Sequence, residues 1–278
     1  GNLLAIPRGD KPPAGYSLYK RSDRNGSLVW EEKAPVSTAR YSYHGVQVIE
    51  DKIYFLGGAN AQAQNLIERY DPLSDRWESL APLPVASNGL STAVLDGKIF
   101  VIGLYGSTSM EIYDPNTQTW STSTPIPDGT SQASAIAWDG KILLIGGNVQ
   151  GSLSSRVLEF DPTTSIWTPR ASMPSRRHGH ELVIFEGRVW AIGGVDFRGS
   201  YLDDVESYDP ITDSWRVEAS LTVARNWPSS WVANGKVFTA GGVRHGIFFS
   251  SVECYDKITS SWSSVGDLPE NKYASNSA

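Results

Sequence analysis

The chain has 278 residues, a formal net charge of −6 and one cysteine. A net negative charge argues against nucleic acid or an anionic membrane surface as the general partner, because both carry negative charge themselves. One cysteine excludes an internal disulfide, and no apolar run approaches the roughly 18 residues of a membrane-spanning helix. We therefore expect a cytoplasmic protein without nucleic-acid or membrane partners.

Strand signals begin at the N-terminus as three short segments rich in apolar and aromatic residues. These segments are residues 1–6, 16–21 and 28–33. The polar residues 22–27 predict a turn between the second and third segments. Residues 273–278 resemble the inner strand that this end of the chain lacks. We therefore predict one unit built from both ends of the chain, residues 1–39 with 270–278.

Between the ends, one pattern repeats five times, and tryptophan marks it. Six tryptophans are separated by 47, 43, 47, 48 and 47 residues. They are Trp30, Trp77, Trp120, Trp167, Trp215 and Trp262. Periods of about 40–50 residues indicate stacked repeats rather than one irregular core. The predicted repeat units are residues 40–84, 85–127, 128–174, 175–222 and 223–269.

Each unit contains four strand signals separated by turn residues. In the second unit the signals fall at residues 90–95, 98–103, 110–113 and 119–123. Asp96-Gly97 tolerates the positive φ angles of a tight hairpin and joins the first two strands. Asp114-Pro115 opens the turn between the last two, since proline fixes φ and aspartate bonds the backbone ahead. A four-stranded antiparallel sheet cannot bury both faces alone, so the units must stack.

The second strand of most units ends on a glycine pair. The pairs are Gly57-Gly58, Gly146-Gly147, Gly193-Gly194 and Gly241-Gly242, and the second unit keeps Gly103 alone. Paired glycines allow neighbouring backbones to approach while the aromatic residues fill the gaps between sheets. We predict an all-β fold: a six-bladed β-propeller of four-stranded antiparallel blades. The last blade is closed by the N-terminal strands plus a C-terminal inner strand.

The glycine pair, the Tyr or Phe followed by Asp and usually Pro, and the Trp seven residues later resemble the kelch repeat. The resemblance covers essentially the whole chain, although Gly103 lacks its pair and Pro7-Arg8 replaces the pair in the last unit. The arrangement is similar to the propeller domains of BTB-kelch adaptors, which present substrates to cullin ubiquitin ligases. It implies a monomeric scaffold that recognises a protein or peptide as a substrate adaptor.

No enzyme motif is present in the sequence. It contains no phosphate loop, no HExxH, no nucleophile elbow and no Cys–His zinc spacing. Copper–radical oxidases on similar propellers need a cysteine crosslinked to tyrosine, whereas Cys254 falls in a predicted strand as a small buried residue. We expect no catalytic residue, no metal and no cofactor. The alternative is a protein that binds or converts a small, sugar-like molecule at the channel mouth.

Candidate binding residues lie first where the chain enters each inner strand. This repeat position holds Arg40, Ser87, Thr130, Arg177 and Arg225. Three arginines there suit bidentate recognition of carboxylates, and similar arginines line peptide pockets in the family that the chain resembles. The alternative is that they bond backbone carbonyls within the fold. We predict an acidic protein or peptide ligand at the channel mouth.

Further candidates lie in loops that open on the same face. Trp227 replaces the small residues Gly179, Gly89 and Ser42 of other units, either as a pocket wall or as a plug of the pore. Arginine and aromatic residues are enriched at binding hot spots. The loop candidates are Asp196 and Tyr201, then Arg244, His245 and Phe248, and Tyr105 in the shorter second loop. One of Phe248 and Phe249 is expected in the core and the other at the surface.

A glutamate recurs two residues before the third-strand aromatic. The set is Glu68, Glu111, Glu206 and Glu253. Because it is periodic, it belongs to the repeat, and we expect bonding within the fold rather than catalysis.

Overall fold

The computed structural model describes residues 3–7, 16–24, 27–38, 40, 42–59, 62–104 and 107–272. Regular structure in these ranges is β-strand, without an α-helix. None of the described segments forms a helix with the length and hydrophobicity needed to span a membrane. The chain divides into two compact units, a central unit of residues 40–178 and a terminal unit of residues 1–39 with 179–278.

The N-terminal strands form a three-stranded antiparallel sheet in sequence order. They are β1 (Leu3–Pro7), β2 (Tyr16–Arg24) and β3 (Ser27–Glu32). The turn predicted over residues 22–27 is wrong in extent, because Ser22 and Asp23 pair with Val29 and Leu28 and so prolong both strands. The predicted closing strand, residues 273–278, lies outside the described residues, so closure of this blade stays a prediction.

The central unit holds three four-stranded antiparallel sheets. The first contains β4 (Ser42–Ile49), β5 (Lys52–Ala59), β6 (Ile67–Asp71) and β7 (Arg76–Ser79). The second contains β8 (Ser91–Leu95), β9 (Lys98–Ile102), β10 (Met110–Asp114) and β11 (Thr119–Thr122). After β12 (Thr130–Ser131) come β13 (Ser134–Trp138), β14 (Lys141–Ile145), the short β15 (Asn148–Val149) and β16 (Ser152–Leu153), then β17 (Val157–Asp161) and β18 (Ile166–Arg170). The third sheet has the order β13-β14-β17-β18.

The two-residue strand β19 (Arg177–His178) ends the central unit. The terminal unit continues with β20 (Glu181–Phe185), β21 (Arg188–Ile192), β22 (Val195–Asp196), β23 (Val205–Asp209) and β24 (Ser214–Val217). Its last strands are β25 (Ser229–Ala233), β26 (Lys236–Ala240), β27 (Val243–Arg244), β28 (Ile247–Asp256) and β29 (Ser261–Lys272). The sheets run β20-β21-β23-β24 and β25-β26-β28 with β29 beside β28. Apart from the end of β29, each four-stranded array lies inside one predicted repeat unit.

The turn residues act as the sequence predicts. Asp96 and Gly97 have φ angles of 51° and 70°, which are the positive values of a tight hairpin turn. The backbone N–H of Leu73 donates to Asp71 Oδ1 at 2.9 Å in the turn between β6 and β7. Both predicted turn types are confirmed, and they fix the register of each hairpin.

The glycine pairs allow successive sheets to approach. The N–H of Gly58 donates to the carbonyl of Ser87 at 2.9 Å, and Gly194 makes the same 2.9 Å bond to Arg225. A Cβ added to Gly57 would lie 2.6 Å from the Ser87 oxygen, closer than real Cβ contacts allow. The expected role of the pairs, close approach of neighbouring backbones, is therefore confirmed.

In the five repeats between residues 40 and 269, the tryptophan packs on the aromatic residue opposite it on the third strand. The ring centroids lie 5.0–5.5 Å apart in Tyr70–Trp77, Tyr113–Trp120, Phe160–Trp167, Tyr208–Trp215 and Tyr255–Trp262. The indole N–H of Trp262 donates at 3.0 Å to the carbonyl of Ala219, which lies 43 residues earlier and just after the last strand of the neighbouring sheet. The tryptophan spacing of the sequence is thus the spacing of an aromatic contact, which at Trp262 also ties one sheet to the next.

Of these four tyrosines, Tyr70 and Tyr208 have an aspartate partner, and Tyr113 does not. The Tyr70 hydroxyl donates to Asp75 Oδ1 at 2.5 Å, and the Tyr208 hydroxyl donates to Asp213 Oδ1 at 2.6 Å. The buried Tyr113 hydroxyl has no hydrogen-bond partner among the described residues, and burial raises its pKa to about 12. The second repeat therefore carries a buried hydroxyl without a hydrogen bond, whereas the equivalent hydroxyls of Tyr70 and Tyr208 are hydrogen-bonded.

We expect Gln118→Asp to raise the free energy of unfolding by about 1 kcal/mol, because a carboxylate there can accept the Tyr113 hydroxyl. Gln118 has φ of 54°, a conformation that aspartate tolerates better than glutamine. Urea denaturation measures the change. Ser165→Asp is the control, since Ser165 has φ of 58° but comes five residues after Phe160, which has no hydroxyl. Equal gains at both sites would assign the effect to the backbone alone.

Candidate recognition surface

The three arginines predicted to meet a ligand are fully buried. Arg40, Arg177 and Arg225 each have 0% of their surface exposed. Arg40 Nη2 lies 2.6 Å from Glu68 Oε2, and the Nε and Nη2 groups of Arg177 donate to Ser175 Oγ at 2.9 and 2.6 Å. A guanidinium enclosed in this way does not present its donors to solvent. The structure therefore does not show the exposed basic ring that the sequence suggested.

Arg225 shows the structural alternative most fully. Its Nη2 pairs with Glu253 Oε1 at 2.5 Å, and its Nη1 donates to the carbonyls of Gly241 at 2.8 Å and Ser251 at 3.1 Å. Burial lowers the pKa of Arg225, and the Glu253 carboxylate opposes that shift. The periodic glutamates at positions 68 and 253 thus bond within the fold, as their spacing predicts.

Ser87 and Thr130, at the same repeat position, are also interior residues. Ser87 is 0% exposed and its carbonyl accepts the Gly58 N–H. Thr130 is 1% exposed and its hydroxyl donates to the Asn148 carbonyl at 3.3 Å. The predicted binding roles of Ser87 and Thr130 are therefore not supported, because their side chains, like those of the arginines, are buried and do not reach solvent.

Exposed candidates come together on two loops of the terminal unit. In the first loop, Val195 bridges to Tyr201, and Asp196 Oδ1 accepts the N–H groups of Arg198 and Ser200, both at 2.8 Å. Half-buried Asp196 thereby shapes the loop through its Oδ1 atom. The rings of Tyr201 and His245 meet at 4.8 Å, which joins the first loop to the second.

The second loop is a tight hairpin between β27 and β28. Arg244 pairs with Ile247, and the corner residues His245 and Gly246 have φ angles of 51° and 76°. Phe248 and Phe249 are both half-buried, so the expectation of one core and one surface ring is wrong. Adjacent residues of a strand face opposite sides, and here neither side is fully covered.

We call the exposed part of these loops, together with the half-buried Tyr201, the double-loop surface: Phe197, Arg198, Tyr201, Arg244, His245 and Ile247. Phe197 and Ile247 are each 64% exposed. The Arg198 guanidinium lies 5.1 Å from the Phe197 ring centre, and that of Arg244 lies 6.0 Å from the Phe249 ring centre. In the part of the chain that the structure describes, neither arginine forms an ion pair. Arginines held against aromatic rings without a carboxylate partner are suited to bind an acidic group.

Two other predicted positions have different outcomes. Trp227 is half-buried two residues before the inner strand β25 and has a φ angle of 49°. Tyr105 lies outside the described residues, so its predicted role stays untested.

Glu181 is a candidate residue that was not predicted from the sequence. It is the first residue of β20, where the equivalent strands carry Gly45, Ser91, Ser134 or Ser229. Burial raises the pKa of Glu181 to about 8, which keeps its carboxyl group protonated near neutral pH. The glutamate at a repeat position that otherwise holds glycine or serine could have marked Glu181 as a candidate from the sequence. Among described residues, no group of three or more His, Cys, Asp or Glu side chains is placed to hold a metal ion.

Comparison with known proteins identifies the repeat. A family model described as "KLHDC2/KLHL20/DRC7 Kelch-repeats domain" matches residues 105–242, and the Kelch motif model matches residues 40–84 and 230–269. The chain is a kelch-repeat domain. This confirms the family that the glycine pairs and the spaced aromatic residues indicated.

Relatives of this kelch-repeat domain include long proteins. Kelch-like protein 36 of Bos taurus is 34% identical over 84 residues, which are 28% of this chain and 14% of that protein. Kelch-like protein 35 of Homo sapiens is 34% identical over 76 residues, which are 27% of this chain and 13% of that protein. The matched segments thus span about one seventh of these relatives.

A solved structure titled "Structure of YjhT" has a TM-score of 0.78 and 18% sequence identity, and the match covers 95% of this chain and 97% of that one. At this identity the likeness concerns the fold alone. Together with the four-stranded sheets and the kelch repeats, it supports the β-propeller class for this kelch-repeat domain.

Proposed function

We propose that this kelch-repeat domain is a protein- or peptide-recognition module that binds through the double-loop surface. The single observation that carries the proposal is the cluster of exposed aromatic and arginine side chains on two joined loops. Side chains of this kind dominate binding energy at protein interfaces. The Kelch-like relatives support the class, and we extend it to a substrate-binding domain of a cullin ubiquitin-ligase adaptor.

We further propose a monomeric six-bladed domain whose ligand is an acidic segment near the channel mouth. The acidic preference now rests on Arg198 and Arg244 instead of the buried arginines. Neither has an ion pair among described residues, and each is held beside a ring that limits its rotamers. A carboxylate that reaches them gains charge-assisted hydrogen bonds, worth about 1.5–3 kcal/mol each.

We expect the double variant Arg198→Ala/Arg244→Ala to weaken peptide binding at least tenfold, that is by about 1.4 kcal/mol. The ligand is found by selecting a displayed random-peptide library on the unmodified domain, and affinity is measured by calorimetry. Arg76→Ala, a change at an exposed arginine on β7, is the matched control and should bind as the parent does. Higher salt should weaken the parent complex.

The outcomes separate the two parts of this proposal. A library that yields no saturable binder contradicts the recognition function. Binders that lack acidic residues, or equal affinity of the double variant and the parent, contradict the acidic preference while leaving recognition in place.

Glu181 favours a second candidate, binding or conversion of a small sugar-like molecule. A carboxyl group that stays protonated can donate a hydrogen bond to a hydroxyl-rich ligand. Saturable binding of a small sugar that Glu181→Ala abolishes would support this function over peptide recognition.

A further inference from the structure

One repeat position has a left-handed backbone in four units. The φ angles are 69° at Gly89, 57° at Gln132, 64° at Gly179 and 49° at Trp227. The N–H of Gln132 donates to the Gly89 carbonyl at 2.9 Å, and that of Trp227 donates to the Gly179 carbonyl at 2.8 Å. The conformation is therefore part of a hydrogen bond that recurs between successive sheets, whichever residue occupies the position.

Tryptophan is poorly suited to this position. A left-handed backbone brings Cβ close to the following carbonyl, which is why glycine is usual there and a bulky side chain is an outlier. Space for the indole exists because the facing residue is Gly179, where a Cβ would lie 2.8 Å from Trp227 Nε1 and 2.0 Å from Asn226 Oδ1. The fold holds Trp227 in a conformation that a smaller residue would adopt more readily.

The residue before Trp227 makes a second unfavourable contribution to the stability of this region. Asn226, the residue before Trp227, is 4% exposed, and its Oδ1 atom has no hydrogen-bond partner among the described residues. Nor does Trp227 compensate by filling the core. It is half-buried and lies outside the hydrophobic clusters that contain Trp190, Trp231 and Trp262. Backbone strain combined with an unsatisfied polar group is typical of a binding site rather than of packing.

Backbone pairing places Trp227 one residue from a β-bridge whose other partner, Val243, directly precedes the second loop. Asn226 and Val243 exchange hydrogen bonds of 3.0 and 2.9 Å, so Trp227 follows one partner and Arg244 follows the other. The same β-bridge therefore anchors the indole and one arginine of the double-loop surface. Because the bridge is antiparallel, Trp227 and Arg244 leave it in opposite directions along the strands, so a bound segment must be extended to reach both.

We propose that Trp227 is a specificity-determining residue that receives an apolar anchor side chain of the bound peptide. This inference rests on the proposed recognition function and adds an apolar residue to the acidic one. The accessible part of a half-buried indole offers a rigid apolar face with little rotamer freedom to lose on binding. Strain of the backbone at Trp227 is then kept because the indole contacts the partner.

The test uses the peptide selected on the unmodified domain. Trp227→Gly should weaken its binding at least tenfold, while the melting temperature changes by no more than about 2 °C, because relief of the backbone offsets the lost contacts. Trp227→Asn, which also suits a left-handed backbone, is the second variant and should lose affinity equally. Gln132→Gly is the matched control at the same repeat position and should keep the parent affinity.

Two results would overturn the inference. If Trp227→Gly and Trp227→Asn both lower the melting temperature as far as Trp262→Ala, a core change expected to cost about 10 °C, Trp227 is a structural plug. If both keep parent affinity while Arg198→Ala/Arg244→Ala loses it, the recognition function stands and Trp227 has no part in it. A domain that binds no displayed peptide removes both proposals together.

Discussion

Arg225→Ala should lower the free energy of unfolding by about 3–5 kcal/mol, because it leaves the Glu253 carboxylate buried without its cation. Arg225 and Glu253 are both 0% exposed. The substitution also removes the donor to the Gly241 carbonyl, whereas Glu253 keeps the Thr222 N–H at 2.6 Å. One neutral backbone donor does not replace a guanidinium opposite a buried carboxylate, so the charge stays uncompensated.

Chemical denaturation of the variant measures this effect, and an exposed arginine supplies the control. Arg216 is bound to Glu218 at 2.6 Å but is 58% exposed, so Arg216→Ala should cost less than about 1 kcal/mol. The double variant Arg225→Met/Glu253→Met should recover much of the loss, since no buried charge remains. A stable Arg225→Ala variant that no longer binds the selected peptide would instead return this arginine to the ligand site.

The second large effect is expected at Gly193. A Cβ there would lie 2.6 Å from the Arg225 carbonyl oxygen, and the backbone has φ of 66°. Gly193→Ala therefore combines a clash with backbone and an unfavourable φ, and we expect a loss of about 2–4 kcal/mol. The clash cannot be relieved by a side-chain rotation, because the opposing atom belongs to the main chain.

Gly199→Ala separates the two causes. Gly199 has φ of 77° but no atom within 4 Å of a Cβ, so only the conformational cost of about 1 kcal/mol remains. Thermal unfolding of both variants gives the difference. Equal losses at the two glycines would mean that the approach of successive sheets near Gly193 is looser than the structure shows.

The strands and turns were predictable because their signals are local. Asp96-Gly97 encodes a positive-φ hairpin within two residues, and Asp71 bonds the N–H two residues ahead. The extent of the turn at residues 22–27 was not predictable from polarity, because Ser22 and Asp23 pair with residues across the hairpin. Polar residues indicate exposure to solvent. They occur both in turns and in exposed strands, so polarity alone does not distinguish the two.

The candidate site was harder to predict, because burial of a side chain depends on segments far along the chain. Arg225 meets Glu253, 28 residues later, and Arg40 meets Glu68 at the same separation. A partial signal was present in the third repeat, which has Thr130 instead of arginine and Leu158 instead of glutamate, whereas the second repeat has Ser87 and keeps Glu111. Arginine and glutamate that are lost together indicate an internal pair, whereas a ligand site would not require the glutamate.

Hydrogen bonds from a glycine of one sheet to the next sheet make neighbouring repeats interdependent. The Gly58 N–H is satisfied only while Ser87 is in place, and the Gly194 N–H depends in the same way on Arg225. Unfolding of a single repeat would therefore leave N–H groups of its neighbour without acceptors. The repeats of each unit thus stabilise one another and should unfold together. Duplication of a whole repeat adds one glycine N–H together with one carbonyl acceptor. A partial duplication would leave a glycine N–H without its acceptor. A gene for such a chain can lengthen in steps of one repeat, which is the periodicity still visible in its tryptophans.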